Sequence, residues 1–143
     1  MSVSSSIEIS LSESISGSTI LNRLEEYGWS YNDHGMVTFL PVGDDEDYNW
    51  QRMNITITEL LEVIHKKEER GEVIGVVMTW MDTNIGGTFL IRETGAFLMS
   101  PDINRKVLKL GNGSSSTDIN WYITKLIPVF GSSFQSITYQ EHV

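Results

Sequence analysis

The amino-acid sequence predicts a single domain of the α+β class, an antiparallel sheet of about five or six strands with three helices packed mainly on one face. Three observations lead to this prediction. The chain has 143 residues, 40% of them hydrophobic, and no cysteine, which suits one apolar core without disulfides. Three segments carry apolar residues at helical spacing. Most of the others alternate apolar and polar residues between turns rich in Gly, Asn and Pro.

The first sixteen residues are rich in serine and contain one alternating stretch, 7–11. This pattern fits either an N-terminal arm over residues 1–16 or a short strand, and both alternatives remain open. Residues 17–143 are predicted to form the α+β domain. The N-terminal residues lack a basic segment and a long apolar one, so we expect no secretory signal. No apolar stretch reaches the roughly 20 residues that span a bilayer, so we expect a soluble, cytoplasmic protein without membrane contact.

The three predicted helices begin at residues whose side chains can cap a helix. The candidate caps are Ser18 or Thr19, Thr56, and Thr117. Thr56 and Glu59 also have the spacing of a capping box, in which each side chain satisfies a free backbone N–H of the other residue. Glycine ends the first two helices, and Pro128 is expected to break the last turn of the third.

The predicted strands lie between the helices and after the third one. They cover residues 36–42, 73–81, 88–92, 96–99, 105–110 and 134–140. The run 73–81 is apolar at nearly every position, which is typical of a central strand covered on both faces. Pro101 and Asp102 predict a turn between two strands, and residues 111–116 are predicted to form a flexible Gly/Ser loop.

Negative charge is concentrated in the first third of the chain. Residues 1–50 contain nine acidic and one basic residue, whereas the rest contains ten acidic and nine basic residues, for a net charge of −9. The densest part is the run of four carboxylates Asp44, Asp45, Glu46 and Asp47. The densest basic group, Lys66, Lys67 and Arg70, lies among glutamates and is predicted to be a solvated helix face. Such a balance favours a basic protein partner and argues against nucleic acid.

The sequence contains no motif for catalysis, a phosphate or a nucleotide, so we expect no catalytic residue and no cofactor. The acidic run does match the first three ligand positions of an EF-hand calcium loop at Asp45, Asp47 and Asn49. Trp50 and Thr56, however, stand where that loop requires glycine and a bidentate glutamate. We therefore expect no metal site of this type.

Residues 43–50 combine the four acids with Tyr48 and Trp50. Carboxylates steer a cationic partner and accept bidentate bonds from arginine, and aromatic side chains act as anchors at interfaces. A second surface next to this loop is expected at the strand end that carries Asp82. The predicted partner-binding residues are Asp44, Asp45, Glu46, Asp47, Tyr48, Trp50 and Asp82. The alternative for the loop is a solvated turn whose two aromatics fold back onto the core.

The acidic aromatic loop 43–50, and the segment 76–80 that leads into 86–90, lie in a small, acidic, cysteine-free chain. In these features, within residues 20–100, the chain resembles the immunity proteins of bacterial toxin systems, including contact-dependent growth inhibition and other polymorphic toxins. The resemblance implies a cytoplasmic inhibitor that binds one cognate toxin, often a basic nuclease, and blocks its active site.

Three functional hypotheses follow. The leading one is an immunity protein that neutralises a basic, nuclease-type toxin. The second is a divalent-metal-dependent hydrolase. Its candidate residues are Asp44, Asp45, Asp47 and His34. The third is a non-enzymatic adaptor module that associates with itself through an exposed strand edge.

Overall fold

The computed structural model describes residues 4–81, 83–92 and 96–142. Its helices are α1 (Gly17–Glu26), α2 (Ile57–Glu69) and α3 (Ile119–Phe130), and a 3₁₀ turn at Gly131–Ser133 follows α3. Its strands are β1 (Ser4–Leu11), β2 (Trp29–Ser30), β3 (Val37–Phe39), β4 (Gln51–Met53), β5 (Ile74–Trp80), β6 (Gly86–Ile91), β7 (Phe97–Ile103), β8 (Val107–Lys109), β9 (Ser115–Thr117) and β10 (Phe134–His142). Within these described ranges no helix has the length and hydropathy needed to cross a membrane.

Eight of the strands form one antiparallel sheet. The strand order is β10-β1-β7-β6-β5-β3-β4, and β2 pairs with β5 on the same side as β3. The strands β8 and β9 form a separate hairpin. Because β1 lies between β10 and β7, the serine-rich N-terminal segment contributes an interior strand of the sheet. The α+β class with three helices is confirmed, whereas the prediction of five or six strands is wrong.

The strands that the sequence does not reveal are the short ones. β2, β4 and β9 have two or three residues each, too few to show an alternating pattern. Each exists because a neighbouring strand offers it a pairing edge: β5 for β2, β3 for β4, and β8 for β9. The predicted Gly/Ser loop 111–116 therefore ends in strand β9, and its hairpin stands apart from the main sheet.

The prediction of a turn at Pro101 and Asp102 is also wrong, because both residues lie within β7. Between Gly86 and Thr88 the pairing register of β6 with β7 shifts. Such a bulge removes a residue from the ladder of hydrogen bonds, so proline, which has no N–H to donate, is tolerated there. The strand therefore runs through a dipeptide that normally marks a turn.

The hydrophobic core lies between the three helices and one face of the sheet. Along β6, Phe89 and Ile91 are buried, whereas Leu90 between them is half-buried. Phe89 packs edge to face with Trp29 and Phe97, at 5.1 and 5.6 Å between ring centroids. The helices contribute to the same core the residues Ile20, Leu21, Leu24, Leu60, Ile64, Tyr122, Leu126, Val129 and Phe130. The opposite face of the sheet faces away from this core.

The helix caps follow the expected chemistry with small shifts in position. The capping box of Thr56 and Glu59 is confirmed at the start of α2. Helix α1 begins earlier than predicted, because Ser16 caps it with its side-chain oxygen. Helix α3 begins after Asp118, one residue beyond the predicted cap, and continues past Pro128 to Phe130. Because neighbouring Ser, Thr and Asp residues can all cap a helix, tertiary packing selects among them.

We expect Phe89→Ala to lower the free energy of unfolding by about 3–5 kcal/mol, because it empties a site surrounded by aromatic rings. Leu90→Ala is the matched control, since adjacent residues of a strand point to opposite faces. It should cost less than half as much. Urea denaturation measures the free energy of unfolding of both variants. Equal losses would contradict the conclusion that only the side of β6 facing the helices is fully buried.

Candidate functional site

The acidic loop, residues 43–50, leaves the end of β3 and packs against the start of β5. A carboxylate oxygen of Asp45 accepts the backbone N–H of Val73 at 3.0 Å. A Cβ placed on Gly75 would lie 2.6 Å from Leu40 and 2.8 Å from Trp50, so both side chains lie directly over this glycine. Trp50 is half-buried and covers the face of β5 that points away from the helices.

Asp44 organises the acidic loop from within. Its side chain is only 5% exposed, and its two oxygens accept the backbone N–H groups of Asp47, Tyr48 and Asn49 at 3.0, 3.0 and 2.7 Å. Burial alone raises the pKa of Asp44, but these three bonds and the nearby Lys67 lower it below its ordinary value. The carboxylate is therefore ionised and used for the structure of the loop.

Lys67 fastens the acidic loop to helix α2. Its side chain is 1% exposed, so the prediction of a solvated lysine at this position is wrong. Its Nζ donates to the carbonyl oxygens of Pro41 and Asp44 at 2.8 and 2.7 Å, and to Oε1 of Glu72 at 3.4 Å. An ammonium group can be buried only where its three donors find acceptors, and here they do.

Glu72 completes this attachment from the start of β5. Its buried carboxylate accepts the backbone N–H of Gly43 at 2.9 Å and Nε of Arg70 at 2.8 Å, besides the bond from Lys67. Burial raises the pKa of Glu72, yet the bonds from Gly43, Arg70 and Lys67 outweigh burial and lower it. The first residue of the acidic loop is thus tied to the segment between α2 and β5.

Between Asp44 and Trp50 the side chains of the acidic loop are exposed, although one oxygen of Asp45 also bonds to Val73. Asp45, Glu46, Asp47 and Tyr48 are all exposed, Tyr48 by 39%. Glu46 forms an ion pair with Arg92, and the same guanidinium donates to the hydroxyl oxygen of Tyr48 at 3.4 Å. These contacts raise the pKa of Arg92, with the bond to Glu46 as the largest cause. The surface therefore presents three carboxylates beside one aromatic ring.

Two residues of the acidic loop adopt a backbone conformation that favours glycine. Glu46 has a φ of +80° and Tyr48 a φ of +56°. For a residue with a Cβ, the left-handed region costs roughly 1–2 kcal/mol. The three N–H bonds to Asp44 span these residues and hold the backbone in place. The backbone that carries the exposed carboxylates is therefore held in a defined conformation.

A cavity of about 200 Å³ opens where the loop attachments meet the start of α1. Its lining includes the charged residues Glu68, Glu72 and Arg92 and the apolar residues Ile15, Ile74 and Ile91. Glu68 already accepts the backbone N–H and the hydroxyl of Ser18. A lining that combines aliphatic side chains with carboxylates suits the long stem and terminal cation of a lysine or arginine side chain.

A second polar cluster lies on the side of the sheet far from the acidic loop. Oε1 of Glu141 accepts the hydroxyl and backbone N–H of Thr117 at 2.5 and 3.1 Å, and the hydroxyl of Tyr139 at 2.6 Å. Arg105 lies 3.6 Å away, and the hydroxyls of Ser5 and Thr117 are 3.0 Å apart. These bonds, led by that of Thr117, lower the pKa of Glu141 to about 2. So weak a base cannot activate a hydroxyl near neutral pH, and the cluster instead joins the β8–β9 hairpin to β1 and β10.

The candidates for metal or acid–base chemistry do not converge. His34 pairs with its neighbour Asp33, with 2.8 Å between Nδ1 and Oδ1, and not with the acidic loop. Across the ranges that the structure describes, no group of three or more His, Asp or Glu side chains is placed to hold a metal ion. The hydrolase hypothesis therefore gains no support from the geometry.

The second surface predicted around Asp82 is not next to the acidic loop. Asp82 itself lies outside the described residues. Trp80, shortly before it, is at the end of β5, while the acidic loop meets Gly75 near the start. Five residues of extended strand separate the two points, about 16 Å. Any contact that this end of β5 makes would belong to a different part of the surface.

Lys67, Glu72 and Arg92 are the residues of the site that the sequence analysis missed. One signal was available for Lys67. It lies seven residues after Leu60 and three after Ile64, which places it on the buried stripe of α2. A lysine on an apolar stripe indicates a buried cation in need of partners, but the partners themselves cannot be read from the helix.

No family model, curated protein or solved structure matches the chain. The geometry and charge of the acidic loop and its attachments are therefore the only basis on the described residues for proposing a function.

Lys67→Met is expected to lower the free energy of unfolding by about 2–5 kcal/mol, because it leaves two buried carbonyl oxygens and part of a buried carboxylate without a donor. Amide hydrogen exchange over residues 43–50 should accelerate in the same variant. Lys66→Met, at the adjacent exposed position, should change neither quantity appreciably. Similar behaviour of the two variants would contradict the role of Lys67.

Stability should depend on pH through Glu141, whose pKa is about 2 in the fold against an ordinary 4.5. Between these values the unfolded chain binds the proton and the folded chain does not. The contribution of Glu141 is therefore full above pH 4.5 and lost as the pH falls towards 2. Glu141→Gln should reduce the slope of unfolding free energy against pH in this window by up to about 1.4 kcal/mol per pH unit. Glu62→Gln, on an exposed helix face, is the control, and an unchanged slope in Glu141→Gln would refute the assignment.

Proposed function

We propose that this protein is an immunity protein, a stoichiometric inhibitor that neutralises a cognate toxin by covering a basic active site with the acidic loop. The observation that carries the proposal is the rigid presentation of charge. Asp44, Lys67 and Glu72 hold the loop from beneath, so the carboxylates above them point outward in a fixed arrangement. A preorganised surface loses less conformational entropy on binding than a flexible one.

The exposed groups have the chemistry that a basic nuclease surface would recognise. Asp45, Glu46 and Asp47 place three negative charges on consecutive residues, and Tyr48 stands beside them. Carboxylates accept bidentate bonds from arginine as phosphates do, and the surplus of acid speeds the encounter with a cationic partner. Tyr48 offers a ring for the apolar part of the contact.

The structure also divides the predicted contact residues into two groups. Asp44 and Trp50 serve the loop itself, the first through its backbone bonds and the second by covering Gly75. Direct contact with a partner then falls to the exposed residues between them. The cavity beside the loop provides an anchoring point, in which a lysine or arginine of the toxin would lie along the isoleucines and reach Glu68.

The direct test is co-expression with the product of the neighbouring gene. That product, or its C-terminal domain, should arrest growth when expressed alone. Co-expression of this chain should restore growth, and the two proteins should purify together in equal amounts. A neighbouring product that is harmless, or one whose toxicity persists with this chain present, would contradict the proposal.

Neutralising the exposed acids of the loop should weaken that complex at least about tenfold and flatten its dependence on salt concentration, because ion pairs at the contact would be lost. The variant is Asp45→Asn/Glu46→Gln/Asp47→Asn. The control removes the same charge from exposed helix positions, as Glu26→Gln/Glu62→Gln/Glu69→Gln. Calorimetric titration at several salt concentrations measures both. Equal affinities of the two variants would remove the acidic loop from the mechanism.

A further inference from the structure

The two edges of the sheet are built differently. At one edge β4 has three residues, all exposed, and carries Arg52. At the other edge β10 has nine residues, contains no lysine, arginine or proline, and within the described residues pairs only with β1. Short edge strands and those with lysine, arginine or proline resist further pairing, whereas a long strand without them presents a row of unpaired N–H and C=O groups. The one acidic residue of β10, Glu141, lies near its end and is bonded to Thr117 and Arg105, so residues 134–140 lack the usual protection.

We propose that β10 pairs antiparallel with β10 of a second copy of this chain, so that two sheets join into one across a twofold axis. An antiparallel contact between identical strands is isologous, and each strand supplies the donors and acceptors that the other needs. This association is separate from toxin binding and involves none of the residues of the acidic loop.

The sequence of β10 is self-complementary about Thr138. With Thr138 on the twofold axis, Ile137 lies opposite Tyr139 of the second copy, and Ser136 lies opposite Gln140. Ile137 and Tyr139 point to the core face of the sheet and are only half-buried at the edge. A pair of an aromatic and a β-branched side chain is among the favourable cross-strand pairs, and no like charges meet over Ser136–Gln140. This symmetry favours a second copy over an unrelated strand as the occupant.

The net charge of −9 does not oppose this contact strongly, because the densest acidic run is remote from it. The acidic loop packs on β5, and four strand spacings separate β5 from β10. This distance is about 19 Å, so the two loops of a dimer would be roughly 40 Å apart, several Debye lengths at physiological salt. Residues 136–140, at the centre of the joined edges, carry no charge.

Sedimentation equilibrium of the wild-type chain alone, from micromolar to sub-millimolar concentration, should show a monomer–dimer equilibrium. Thr138→Lys places two ammonium groups face to face on the axis and should raise the dimer dissociation constant about fivefold or more. Gln51→Lys, at the exposed opposite edge, is the matched control and should leave the constant unchanged. A strict monomer over the whole range, or equal effects of both variants, would overturn the proposal.

A cysteine trap tests the register independently, because the chain has no cysteine of its own. Thr138→Cys should oxidise to a covalent dimer, since opposed residues of an antiparallel pair have Cβ atoms about 4.5–5.5 Å apart. Ser136→Cys is the control on the same strand and face. Its symmetry mate would be four residues away along the strand, about 13 Å, and too far for a disulfide. A dimer in which Thr138→Cys does not cross-link, or cross-links no faster than Ser136→Cys, would also refute the pairing.

Discussion

The buried ammonium group of Lys67 is the interaction on which the acidic loop depends. A cation removed from water must be surrounded by acceptors, and those of Lys67 come from Pro41, Asp44 and Glu72. Two of these acceptors are backbone carbonyls on either side of the turn that begins the acidic loop. Through Lys67, helix α2 therefore holds the backbone of the acidic loop, in addition to balancing its negative charge. Loss of this cation would leave the loop without its main attachment to the core.

The acidic loop shows how a charged segment can be both structural and available for recognition. The carboxylate of Asp44 is buried inside the loop, and its bonds stabilise the left-handed conformations of Glu46 and Tyr48. The carboxylates that follow it are thereby directed to solvent. Net charge alone suggests four equivalent acids, but the structure buries Asp44 and exposes the other three. Two of those three also have partners within the chain, since Asp45 bonds to Val73 and Glu46 pairs with Arg92. A protein that must bind quickly and tightly benefits from such division, because steering needs exposed charge and affinity needs a rigid arrangement.

The sheet separates the parts of the molecule by strand order. The helices cover one face, the acidic loop attaches near β5, and the long edge strand β10 lies four strands away. A partner at the acidic loop and a second copy at β10 would therefore occupy different sides of the sheet. The cluster around Glu141 supports the β10 side, because it connects the hairpin of β8 and β9 to the last strand. The acidic loop and the edge strand β10 are thus each supported by a separate polar network.

The sequence by itself determined those features whose cause is local. Helical spacing of apolar residues and the capping box of Thr56 and Glu59 located α2, and the continuous apolar run located β5. The composition of the loop at 43–50 likewise identified the acidic surface before its geometry was known. These patterns can be recognised in the sequence because residues close together along the chain produce them.

Tertiary structure alone decided what depends on residues distant in sequence. The short strands β2 and β4 exist only because β5 and β3 pair with them, and Pro101 stays in a strand because a bulge accommodates it. The same holds for charge: helical spacing places Lys67 on an apolar stripe, but nothing local identifies its partners or the burial of Asp44. Both are buried because their partners, brought together from separate segments by folding, replace the hydrogen bonds of water.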